Sequence, residues 1–227
     1  MQKTIIVSGA SGYLGSEVVQ KLKESNYRLS LIVGKRNPHE YDRLEDTISQ
    51  VVDLLDEQAA KNFVNEVFEK ENSVDAAVLL VGGFALGEIK STADEELNNM
   101  INLNFLTAFH LVRPLLEQFE QQGYGQIILV GSKAAMNPLQ GASAFAYTLS
   151  KKMLLNLAEI INAQYSTITA SVIVPSTMDT PATRSAMPNA DYTQWVSTRD
   201  VAESIDFLLS TAGKKLREPV LKVYNYA

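Results

Sequence analysis

Lys3-Thr-Ile-Ile-Val7, then Ser8-Gly9-Ala-Ser-Gly12-Tyr-Leu-Gly15, then a helix-forming run from Ser16 to Ser25: this N-terminal stretch decides how the chain folds. The first segment is a short apolar run of the kind that forms a buried strand, and the last has helical character. Three glycines fall at the junction between them. Glycine lets a backbone approach a pyrophosphate closely, and the free N–H groups and positive dipole end of the next helix then hold the anion. The spacing is G-x-x-G-x-x-G and not the strict G-x-G-x-x-G, so the expectation of a phosphate cradle rests on the strand-turn-helix context. Gly9, Gly12 and Gly15, with Ser11, Tyr13 and Leu14 in the same turn, are its candidate residues. An ordinary tight turn is the alternative reading.

The pattern of that first unit continues. Apolar runs at Leu29 to Val33, Val51 to Leu54, Ala76 to Val81, Ile127 to Val130, Ala170 to Val174 and Val220 to Tyr224 predict further buried parallel strands. Segments of helical period lie between them: Glu57 to Glu71, Ala93 to Gln121, Ser143 to Tyr165 and Thr198 to Leu209, with Pro114 a candidate kink in the second. The expected fold is α/β, one domain over 1–227, with a doubly wound parallel sheet of about seven strands flanked by helices. Such sheets bind ligands beyond the C-terminal ends of their strands. That edge would gather Gly9, Lys35 and Arg36, Asp53, Gly82 and Gly83, Ser132, and Pro175 to Thr180.

Composition narrows the function classes. The 227 residues are 46% hydrophobic, enough for a sizeable core, and carry a net charge of −6, which argues against nucleic acid as a partner. The absence of cysteine removes disulfides, thiolate catalysis and cysteine-ligated metals, and suits a reducing compartment. His39 and His110 have no second ligand type at metal spacing, so no metal is expected. No apolar stretch reaches the roughly 20 residues of a bilayer span, and the N-terminus lacks a signal-peptide core, so the expected location is cytoplasmic with no membrane partner.

The chemistry centres on Ala-Phe-Ala-Tyr147-Thr-Leu-Ser-Lys151-Lys, where Tyr147 and Lys151 stand four residues apart on a predicted helix. One helical face then carries both side chains, and an adjacent ammonium favours the phenolate, making Tyr147 a candidate general acid. By itself the pair is as compatible with a solvated helix face.

Taken together, Gly9, Gly12 and Gly15, Asp53-Leu54, Asn104, Ser132, Tyr147-x-x-x-Lys151 and Pro175-Ser-Thr-Met-Asp-Thr180-Pro resemble the short-chain dehydrogenase/reductase family over nearly the full length. The resemblance implies a Rossmann-type fold and hydride transfer between a nicotinamide and a small carbonyl or alcohol substrate. Within it, Tyr147 would be general acid or base, and Lys151 would lower its pKa and bind the ribose hydroxyls. Ser132 would hydrogen-bond the substrate oxygen, with Ser143 its competitor and a helix cap its bland alternative. Asn104 would hold a water of the proton relay, with Asn102 competing. Asp53 and Leu54 would meet the adenine, while Thr180, which could instead cap the next turn, would meet the carboxamide as part of a clamp with Pro175 and Thr177. Residues 181–197 would form a substrate lid, with Met187, Tyr192 and Trp195 as candidate lining and ordinary packing the better reading for Trp195. A homodimer or homotetramer built on the Ala93 to Gln121 and Ser143 to Tyr165 helices is also implied.

Cofactor choice turns on charge after the second strand. Val33-Gly34-Lys35-Arg36 offers no acid for a ribose 2′-hydroxyl and two bases for a 2′-phosphate, which favours NADP(H) and leaves NAD(H) as the alternative. The chain departs from the family pattern after the fourth strand, where it reads Leu79-Leu80-Val81-Gly82-Gly83-Phe84. With Gly131-Ser-Lys-Ala-Ala135, that segment resembles the dihydropteridine reductase branch, in which a quinonoid pterin is reduced, typically with NADH. A non-catalytic nucleotide-binding regulator is the remaining alternative, although it would not need both Tyr147 and Lys151.

Overall fold

A computed structural model describes residues 2–137, 139–217 and 220–225. Its chain runs β1 (Thr4–Ser8), α1 (Tyr13–Glu24), β2 (Arg28–Val33), β3 (Thr47–Val51), α2 (Glu57–Glu71), β4 (Ala76–Leu79) and α3 (Asp94–Ile101). A π-helical turn, Asn102–Leu106, joins α3 to α4 (Thr107–Gln122). Then follow β5 (Gly125–Val130), α5 (Lys133–Met136), α6 (Phe145–Gln164), β6 (Ile168–Pro175), β7 (Met178–Asp179), α7 (Pro181–Ala186), β8 (Val196–Ser197), α8 (Thr198–Leu209) and β9 (Val220–Val223).

Seven strands pair in the order β3-β2-β1-β4-β5-β6-β9, every pairing parallel. The order reverses direction at β1, so the crevice between β1 and β4 is the switch point at which such sheets bind ligands. Helices α2, α4 and α6 cover one face through Phe63, Leu111, Leu115, Phe119 and Leu154, and α1 and α8 cover the other through Val18, Leu22, Val201 and Ile205. Burial on both faces explains the unbroken apolar runs of the central strands. Truncating a fully buried side chain such as Leu111 to alanine would cost about 2–5 kcal/mol.

The helix ends follow from local chemistry. Asp56 caps α2 by accepting from the Gln58 and Ala59 amides at 2.9 and 3.1 Å, and Ser197 with Asp200 forms a capping box on α8. Asn72 closes α2 and Gly123 closes α4 in the left-handed conformation, at φ 61° and 83°.

Two expectations need correction. The strand anticipated at Val51 to Leu54 lies earlier, at Thr47–Val51, and its sequence Thr-Ile-Ser-Gln-Val is half polar because β3 is an edge strand with an open side. The anticipated single helix over Ala93 to Gln121 is interrupted, but not at Pro114, which is buried inside a helix that continues through it. The interruption is the π turn, closed by the Thr107 amide donating to the Asn102 carbonyl.

Candidate active site

The glycine turn after β1 begins with Gly9 at φ +70°, a conformation that disfavours any side chain, and the Gly12 amide donates to the Gly9 carbonyl at 3.0 Å. A Cβ on Gly15 would stand 2.1 Å from the Gly9 oxygen, so this position must be glycine for α1 to pack onto its own turn. Gly12 caps α1 without any side-chain hydrogen bond. The first amides of that helix, from Tyr13, Leu14 and Gly15, are therefore left for a ligand, and an anion such as a pyrophosphate fits them. Ser11 joins the cradle to the next loop by accepting from the Gly34 amide at 2.8 Å. Tyr41, buried in that loop, donates its hydroxyl hydrogen to the Ala10 carbonyl at 2.9 Å.

Beyond β2, Lys35 and Arg36 are exposed, and the Lys35 ammonium lies 3.8 Å from a carboxylate oxygen of Asp53. Asp53 also accepts from the Leu55 amide at 3.1 Å, and Leu54 is buried with its carbonyl bound by the His110 ring at 2.8 Å. The structure thus brings the predicted adenosine residues to one rim.

The catalytic candidates meet across β4, β5 and α6. Asn104, fully buried in the π turn, accepts from the Gly83 amide at 2.9 Å and donates to Ser150 Oγ at 3.0 Å. Ser150 in turn donates to the Tyr147 carbonyl at 2.8 Å, so one network links the glycine pair after β4, the π turn and the helix that carries Tyr147. A Cβ on Gly82 would lie 2.6 Å from Asn104 Oδ1 and 3.0 Å from Lys151 Nζ, which leaves room only for glycine beside these groups. Asn102 contributes its carbonyl to the π turn and Asn104 its side chain to the site, which favours Asn104 of the two.

Ser132 follows β5 by two residues and caps α5 by accepting from the Ala135 amide at 3.2 Å, the bland role anticipated for it. It also faces Tyr147: burial raises the phenol pKa above its ordinary value, and the Ser132 hydroxyl opposes that rise. Ser143, by contrast, is exposed and offers its carbonyl to the Gly87 amide. Thr180 likewise takes the anticipated cap role, holding α7 with Thr183 in a capping box.

The Lys151 ammonium, 6% exposed, donates to the Val130 carbonyl at 2.9 Å. Desolvation pushes the Lys151 pKa down to about 8. One helix thus carries a phenol whose pKa burial raises and a buried ammonium with no carboxylate partner among the described residues.

Sequence reasoning did not identify Ser150 or Tyr41 as contributors. Neither belongs to a spacing pattern; the one hint is an aromatic residue inside the polar run from Gly34 to Asp46. The Phe84 ring, 62% exposed, packs edge-on against Tyr147 at 4.9 Å between centroids and adds an apolar wall to the reaction side. In the lid region, Tyr192 and Trp195 pack on each other at 4.7 Å, and Arg184 covers Tyr192 while pairing with Asp179 through bonds of 2.6 Å. This internal packing is the role expected for Trp195, whereas Met187 is 42% exposed. No group of three or more histidine, cysteine or carboxylate side chains among the described residues could hold a metal ion. No helix among them is long and apolar enough to cross a membrane.

Comparison with known proteins places this arrangement. A family model described as short chain dehydrogenase matches residues 3–191. A dihydropteridine reductase of Dictyostelium discoideum is 30% identical over 213 residues, covering 90% of this chain and 87% of that protein. Among solved structures, ElxO with NADP bound superimposes with a TM-score of 0.89 at 18% identity, covering 98% of this chain and 97% of the other. A 3-ketoacyl-(acyl-carrier-protein) reductase from Brucella melitensis complexed with NADH gives 0.84 at 17% identity, with 98% and 97% coverage.

Proposed function

The chain belongs to the short-chain dehydrogenase/reductase family and is an oxidoreductase, and from that premise we propose that it reduces a carbonyl on a small organic substrate with NADP(H). The observation that carries this reading is the meeting of Tyr147, Ser132, Lys151 and Asn104 at the strand ends beside an uncapped α1. The bound nicotinamide would supply the hydride. Tyr147 donates a proton to the carbonyl oxygen, and its burial, which raises the phenol pKa, favours the protonated donor form. Ser132 hydrogen-bonds the same oxygen and stabilises its developing charge. Lys151 would hold the nicotinamide ribose hydroxyls, while Asn104 fixes the Gly83 amide and would support the proton relay. Gly9 to Gly15 hold the pyrophosphate, Asp53 and Leu54 meet the adenine, and Pro175, Thr177 and Thr180 flank the carboxamide.

Lys35 and Arg36 favour NADP(H), since no carboxylate ends β2 where a ribose 2′-hydroxyl would need one. Residues 181–197 act as the substrate lid. A cytoplasmic location suits a chain without cysteine. Homo-oligomers built on α3, α4 and α6 are supported by the exposed apolar side chains of Leu103, Leu149 and Ile160.

A second reading, NADH-dependent reduction of a quinonoid dihydropterin, is favoured by the Dictyostelium relative and by the Phe84 ring beside Tyr147. The two are separated by supplying the purified protein with NADPH or NADH and a panel of ketones, quinones and a quinonoid dihydropterin, following oxidation of the nucleotide. Faster turnover of a ketone or quinone with NADPH is expected. Turnover confined to the dihydropterin with NADH moves the assignment to the second reading, and failure to bind either nucleotide removes both.

A further inference from the structure

We infer that Tyr41 is a positioning residue for cofactor selectivity, acting by tethering the loop that carries Arg36 to the turn that cradles the pyrophosphate. The inference rests on the proposed NADP(H) reading and deepens it. Residues 34–46 contain neither helix nor strand, yet they carry the charges that would discriminate a 2′-phosphate from a hydroxyl. A phosphate reader on an irregular loop is useful only when that loop is fixed relative to the rest of the dinucleotide.

Two hydrogen bonds supply the fix, and both end on the glycine turn. The Gly34 amide donates to Ser11 Oγ at 2.8 Å at the start of the loop, and the Tyr41 hydroxyl donates to the Ala10 carbonyl at 2.9 Å further on. Tyr41 is 7% exposed in a stretch whose other members are mostly exposed, and its ring joins the core on the α1 side of the sheet. Burial raises the pKa of its hydroxyl well above the ordinary range, so it remains a donor at any physiological pH. Arg36 lies between the two anchors.

The loop's charges divide unequally. Lys35 is drawn toward Asp53 at 3.8 Å, and His39 pairs with Asp42 at 2.7 Å. Arg36 has no ion pair or side-chain hydrogen bond among the described residues, and its planar fork suits a phosphate. The 2′-phosphate would therefore be read chiefly by Arg36, with Tyr41 setting where Arg36 stands.

The experiment compares NADPH and NADH dissociation constants for the wild type, Tyr41→Phe, Arg36→Ala and the double variant, by calorimetry. Phenylalanine keeps the buried ring and removes only the tether. Tyr41→Phe is expected to weaken NADPH roughly five- to tenfold, as loss of one hydrogen bond would, while leaving NADH within about twofold. In the Arg36→Ala background it should add little for NADPH, because the two residues act in series. Equal weakening of both nucleotides would mean a general structural role and overturn the inference, as would unchanged affinities or fully additive effects. A wild type that binds NADH as tightly as NADPH would instead remove the cofactor reading beneath it.

Discussion

The two ends of the one sheet are built differently. At the N-terminal ends of the strands, polar side chains close the backbone: Asp75 accepts from the Thr4 amide at 3.0 Å, Gln126 donates to the Leu208 carbonyl at 2.9 Å, and Lys3 donates to the Leu209 carbonyl at 2.7 Å. Arg217 alone reaches the carbonyls of Asn162, Tyr165, Ser166 and Ile168, fastening the end of α6. At the C-terminal ends, α1 lacks a side-chain cap, Gly9 is left-handed, and a lysine is buried without a carboxylate partner among the described residues. Groups left unsatisfied in the free protein are the ones a dinucleotide and a carbonyl can satisfy. The contrast teaches that one end closes its own hydrogen bonds to secure the fold, while the other leaves open the groups on which the proposed chemistry rests.

Substitutions can break this contrast, and the largest expected effect is at Lys151. Lys151→Met should lower turnover by at least about a hundredfold, since it deletes the ammonium proposed to hold the nicotinamide ribose. The same change should raise stability near neutral pH by on the order of 1–3 kcal/mol in urea unfolding, because it removes a buried charge. The sign follows from linkage. The folded-state value of about 8 lies below the ordinary lysine value, so the unfolded chain binds more protons between the two. The penalty on the wild type is full below pH of about 8 and fades as pH rises toward the ordinary value, so the advantage of the methionine variant should shrink across that window. A variant less stable than wild type at neutral pH would reverse the argument.

At the opposite end, Gly125→Ala should cost about 1–3 kcal/mol, because its Cβ would lie 2.1 Å from the buried Phe119 ring. Nucleotide affinity of the folded protein should not change; a loss of affinity would show that the two ends are coupled. Arg217→Ala is the gentlest of these tests, expected to cost about 1 kcal/mol for an exposed guanidinium, with turnover near wild type.

Much of the structural end was legible in the sequence. The helices Glu57–Glu71 and Thr198–Leu209 stand where their periodicity put them, since capping residues and an amphipathic face both mark them. Strand β3 was misplaced because an edge strand, open on one side, lacks the unbroken apolar run that marks the buried strands. The π turn was invisible, because one wider turn leaves the apolar repeat of α3 and α4 almost undisturbed. At the candidate site, Tyr147, Lys151, Ser132 and Asn104 were readable through spacing and family resemblance, whereas Ser150 and Tyr41 act through contacts over 46 and 31 residues that no local pattern reports. Sequence likewise paired Lys151 with Tyr147 by spacing, whereas the bond from the Lys151 ammonium to the Val130 carbonyl spans 21 residues and no spacing reports it.

The account stands most directly on Tyr147→Phe. Removing the phenol oxygen while keeping the ring against Phe84 should lower carbonyl reduction by about 10²–10⁴-fold, with NADPH affinity unchanged within about twofold. Turnover equal to wild type, with cofactor bound as before, would contradict the assignment of Tyr147 as proton donor and with it the reading of this edge as an active site.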